Sequence, residues 1–105
     1  MKAIDIDVVI RASSRGDYHW FDQGTLAWFS SSVAPLAYLD DSGEHAYFVT
    51  SEQDRSYPYP AWDGKRRWSV RRCDLAQGRI ATVGEFGAYP DGKAADHAAR
   101  NAAVG

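Results

Sequence analysis

The residues of this chain most able to do chemistry lie in one run, KRRWSVRR at positions 65–72, with five basic side chains in eight. Arginines at this density can form an anion-binding face that neutralises phosphates. Arg55 before the run and Arg79 after it extend the basic set, and Tyr57, Tyr59 and Trp62 lie between Arg55 and Lys65. Aromatic side chains interleaved with cations suit base stacking or rigid anchoring of a partner protein. These eight residues, Arg55, Tyr57, Tyr59, Trp62, Lys65, Arg67, Arg71 and Arg79, form the candidate binding set. A second candidate surface has the opposite sign. Asp17, Asp22, Asp40, Asp41 and Glu44 fall in the first half of the chain, where an acidic surface can imitate nucleic-acid phosphates.

Catalytic and metal-binding patterns are harder to find. His19, His45 and His97 fall in separate elements and have no ligand spacing with one another or with Cys73. Cys73 has neighbouring arginines that would favour its thiolate, but nothing supplies a base or an oxyanion site. No glycine-rich loop leads into Lys followed by Ser or Thr. The reading is a protein that is not an enzyme and carries no cofactor and no metal.

The elements that must position these residues follow from hydrophobic period and turn chemistry. Ile4, Ile6, Val8 and Ile10 alternate with Asp5, Asp7, Val9 and Arg11 and predict a first strand. Asp22 is placed to cap a short helix over residues 23–31, closed off by Pro35. LAYL and AYFVTSE flank the turn DDSGEH, and RRWSVRRC and RIATVGEF flank DLAQG, giving two hairpins. The segment 53–65 between the hairpins contains two Tyr-Pro pairs and predicts an extended loop. Asp91 caps a last helix with Ala95, Ala98, Ala99 and Ala102 at helical spacing.

The sum is an α+β fold in one domain, residues 1–105. It is a two-layer sandwich with an antiparallel sheet of about four to five strands, a short helix in the N-terminal half and a C-terminal alanine-rich helix. In the strand at 66–73, Trp68 and Val70 share one face and Arg67, Ser69, Arg71 and Cys73 the other. With both helices on the Trp68 face, Arg67 and Arg71 are expected to point into solvent or at a ligand.

Composition bounds the class. The 105 residues are 45% hydrophobic and 25% charged, as in ordinary folded domains. The formal net charge is −2, but residues 1–54 carry a net −6 and residues 55–79 a net +5, which predicts separate acidic and basic faces. Asp5 and Asp7 interrupt the apolar start, which reads against an export signal, no apolar run is long enough to span a bilayer, and the single cysteine suits a reducing cytoplasm.

Two resemblances add to this. The order helix, three strands, helix, ending in GKAADHAARNAAV, resembles the double-stranded-RNA-binding domain. That resemblance implies a phosphate contact at Lys93 and sheet packing by Ala95, Ala98 and Ala102. The chain departs from that family in carrying one lysine at the start of the helix and an added first strand. The texture of YHWFDQGTLAWFSSSV, AYFVTSEQ and RRWSVRRCDLAQGRIATVGEF resembles small proteins of bacteriophages, plasmids and integrated elements, over residues 18–104. It implies a protein that inhibits a host machine by direct binding, of the anti-CRISPR or other anti-defence type. The alternative from the residues themselves is a small nucleic-acid-binding module that uses the basic strand and the aromatic loop. The partner is therefore a host protein or ribonucleoprotein complex, or nucleic acid, and not a membrane.

Overall fold

The structure is a computed structural model that describes residues 1–13, 36–53 and 66–104. The expected helix at 23–31 and the loop at 54–65 lie outside the described residues. Five strands form one sheet in the order β1 (Lys2–Asp5), β2 (Leu36–Leu39), β3 (His45–Gln53), β4 (Arg66–Asp74), β5 (Arg79–Val83), with every neighbouring pair antiparallel. Helix α1 (Ile6–Ser13) follows β1 directly, and α2 (Gly92–Val104) closes the chain. The α+β architecture with an N-terminal short helix and a C-terminal helix is therefore present.

The predicted first strand is corrected in its second half. It ends at Asp5, whose Oδ1 accepts the Asp7 N–H at 2.8 Å and starts α1. Ile6, Val9 and Ile10 are buried while Val8 is 46% exposed, a spacing of three and four. Ile6 and Ile10 fit a period of two and a helical step of four equally well, so alternation alone could not separate the two.

The two helices occupy opposite faces of the sheet. α1 buries Ile6, Val9, Ile10 and Ala12 against Ala37, Ala46, Phe48, Cys73 and Ile80. α2 buries Ala95, Ala99 and Ala103 against Tyr38, Val49 and Val70, with Trp68 and Tyr89 beside them. These strand residues alternate in parity along β3 and β4, so both faces are covered, where the sequence reading, with a strand in place of α1, left one face open. In β3 the run AYFV is apolar on consecutive positions, the pattern of a strand buried on both sides.

Alanine at i, i+4 and i+8 lets α2 lie close over β2, β3 and β4. Asp91 caps it as expected, its Oδ1 accepting the Ala94 N–H at 2.7 Å. Tyr38 fixes the helix from below: its hydroxyl donates to Asp96 Oδ1 at 2.6 Å, and Arg100 lies over its ring at 5.3 Å. Burial, and then the bond to Asp96, push the Tyr38 hydroxyl above its ordinary pKa.

Candidate functional site

The alternation expected in β4 holds, but the face that carries Arg67 and Arg71 is not solvent. Arg71 is 0% exposed. Its Nε–H donates to Thr50 Oγ1 at 2.9 Å, an Nη1 hydrogen goes to Thr82 Oγ1, and the guanidinium sits 5.3 Å from the Phe86 ring centroid. Register explains the set, because Thr82 lies directly opposite Arg71 across β5 and Thr50 lies diagonally across β3. Both threonines share the Arg71 face and supply hydroxyl acceptors where burial would otherwise strand the cation.

The cover over this face comes partly from the segment after β5. Gly84 and Gly87 have φ of 75° and 66°, so the chain can swing off the sheet and return. At the return, Tyr89 bridges Trp68 through backbone bonds of 2.9 and 3.1 Å. Within the excursion the Gly87 N–H donates to Ser69 Oγ at 2.8 Å, and Arg67 Nη1 donates to the Gly87 carbonyl at 3.4 Å. Arg67 is thus half-buried and engaged, and Arg71 is internal. The expectation that both point outwards is corrected, because the helices divide between the faces and leave neither bare.

The other candidates separate as follows. Arg79 is exposed at the start of β5. Arg55, Tyr57, Tyr59, Trp62 and Lys65 lie outside the described residues, as do Asp17 and Asp22. Arg72, which is not among the candidate residues, is exposed on the α2 face. Lys93 is exposed in the first turn of α2.

The acidic residues Asp40, Asp41 and Glu44 are brought together on the β2–β3 turn. Asp40 organises it: Oδ1 accepts from the Ser42 hydroxyl at 2.7 Å, and Oδ2 lies 3.1 Å from His45 Nδ1. The Ser42 hydroxyl, with help from His45, holds the Asp40 carboxyl below its ordinary range. Gly43, at φ 74°, closes the turn. Asp41 is 86% exposed and pairs with the Met1 amine at 2.6 Å. The Leu75 N–H donates to the Glu44 carbonyl at 3.0 Å, which ties this turn to the β4–β5 turn. One end of the sheet therefore carries Asp41 and Glu44 in solvent, with Arg72 and Arg79 close behind.

Cys73 is buried, His97 is exposed on α2, and His19 lies outside the described residues. Among the described residues no three His, Cys, Asp or Glu side chains gather as a metal site requires. A groove of about 450 Å³ beside α1 has Val8, Arg11, Ala12 and Leu75 as its described lining. No helix among the described residues is long and apolar enough to cross a membrane.

Fold and surface together define an α+β domain built on a five-stranded antiparallel meander, with a helix on each face and a mixed-charge end. The chain belongs to the family of unknown function DUF7447, whose model matches residues 6–100. No curated protein and no solved structure matches it.

Proposed function

We propose that the domain is a non-enzymatic protein-binding module that inhibits a host machine, its setting a mobile genetic element and its target of the anti-defence kind. The observation that carries the protein-binding reading is the burial of Arg71. A phosphate-tracking face needs a row of solvated cations. Here the centre of the basic run is an internal residue, and Arg67 is engaged with a backbone carbonyl. Of the described arginines on β4 and β5, the two left in solvent, Arg72 and Arg79, share one end of the sheet with Asp41 and Glu44. Interspersed charges of both signs complement a protein surface and repel a continuous polyanion. The resemblance to small mobile-element proteins supports the setting.

The test combines two measurements. Affinity capture from host lysate compares the wild type with Asp41→Lys combined with Glu44→Lys, both on exposed turn positions. A partner recovered in stoichiometric amount by the wild type and lost by the variant is the expected result. Anisotropy of labelled DNA and RNA at about 50 and 200 mM salt is expected to show no steeply salt-dependent binding. Micromolar nucleic-acid binding that weakens sharply between those conditions would replace this reading with the nucleic-acid module.

A further inference from the structure

α2 leaves part of its own sheet face open. The helix lies over β2, β3 and β4, and the same face carries half-buried Tyr47 from β3, packed against the α2 cluster, and exposed Arg72 from β4 and Arg79 and Ala81 from β5. Register places Tyr47 opposite Arg72 and Arg72 opposite Ala81. Arg79 is then the diagonal neighbour of Arg72 on the same face, and such neighbours stand about 7–8 Å apart. Two long guanidinium side chains at that separation can address one ligand over the small Ala81.

Each of the other arginines whose side chain is described is committed. Arg11 pairs with Asp7, Arg67 donates to the Gly87 carbonyl, Arg71 donates to Thr50 and Thr82, and Arg100 lies over Tyr38. Among the described residues Arg72 and Arg79 have neither an ion pair nor a hydrogen bond through their side chains. The acids closest in register, among them Asp74 directly opposite Arg79, keep their charge but form no ion pair with either arginine. Asp74 Oδ1 accepts the Ala76 and Gln77 N–H groups at 3.1 and 3.4 Å, and Asp40 is held by Ser42 and His45.

We infer that this open face, centred on Arg72 and Arg79, is the docking site for an acidic extended segment of the partner protein, an inference that rests on the protein-binding reading above. Carboxylates match the planar fork of arginine bidentately. In an extended segment, every second side chain falls on one side, about 6.6–6.8 Å apart, close to the spacing of the two arginines. The cations also end abruptly: Asp40, Asp41 and Glu44 bound the patch at the turn and exposed Glu85 follows β5. That footprint suits a pair of carboxylates and not a long phosphate backbone.

The test is anisotropy of a fluorescein-labelled EVEVEVE peptide, with its glutamine counterpart and a short single-stranded DNA as comparators, at low salt. The glutamate peptide is expected to bind, and Arg72→Ala combined with Arg79→Ala is expected to weaken it about tenfold, as for two exposed bidentate pairs. Lys93→Ala, on α2, is expected to leave it unchanged. Both arginines are exposed, so the double variant keeps its fold, checked by circular dichroism. Absent peptide binding, or binding indifferent to the double substitution, overturns the inference. If partner capture through Asp41 and Glu44 survives that result, this face is removed and the protein-binding reading stands. Preference for the DNA removes both.

Discussion

Arg71 and Arg72 are adjacent, identical and opposite in consequence, which makes Arg71→Ala the sharpest perturbation of this fold. The substitution removes hydrogen bonds from an ionised donor to Thr50 and Thr82, worth about 1.5–3 kcal/mol each. It also strips the cation from Phe86 and opens a void under the 84–88 excursion. Against these losses, the folded state no longer holds a guanidinium out of water, a cost of several kcal/mol that cancels part of the sum. The net expectation is a loss of about 2–4 kcal/mol, within the range for disrupting a buried polar cluster. With a urea slope of about 1.5 kcal/mol/M, the midpoint falls by about 1.3–2.7 M. Arg72→Ala, on the exposed side of the same strand, is expected to stay within about 0.5 kcal/mol of the wild type. Arg71→Lys separates charge from geometry, because an ammonium on a flexible stem cannot reproduce the fork between two threonines. An Arg71→Ala protein as stable as the wild type, or an Arg72→Ala protein less stable than it, would refute the assignment of faces.

Two further outcomes follow from local chemistry. Asp91→Ala removes the cap of α2 and is expected to cost about 1 kcal/mol, lowering Tm by about 4–8 °C in thermal unfolding, with no change expected from Asp91→Asn beyond a few tenths of that. Because the Asp40 carboxyl titrates lower in the folded chain than its ordinary 3.8, the unfolded chain binds the proton first as pH falls. The stability contributed by Asp40 is therefore complete above its unfolded value and lost as pH falls through the folded one. Denaturation midpoints of Ser42→Ala are expected to fall less steeply below pH about 4 than those of the wild type.

Local signals in this chain carried far and global ones did not. Both hairpins, the Asp91 cap and part of the alanine stripe were readable, because turn residues, caps and small-residue spacing act within a few positions; Ala95 and Ala99 are buried as expected, but the stripe ends on Ala103 and not on Ala102. The alternation of β4 was readable for the same reason. Which side of that alternation meets water was not, since that depends on where a helix forty or more residues away is laid down. The first strand failed through a coincidence of periods at Ile6 and Ile10, where Asp5 as a helix cap was the overlooked signal.

The misplacement of α1 propagates directly to the candidate site. A strand read as belonging to a two-layer fold has one wet face, and every arginine on it becomes a candidate ligand. Once α1 covers that face, the same parity puts Arg71 inside and makes the wet arginines those of the opposite parity, wherever α2 does not reach. α2 is packed through alanines, lies over β2 to β4 and leaves β5 beyond it, so the residue exchanged for Arg71 is Arg72, with Arg79 beside it. The basic run thus divides its labour by parity. Arg71 ties β3, β4 and β5 together through two threonines, and Arg72, on the α2 face of the same strand, stays in solvent.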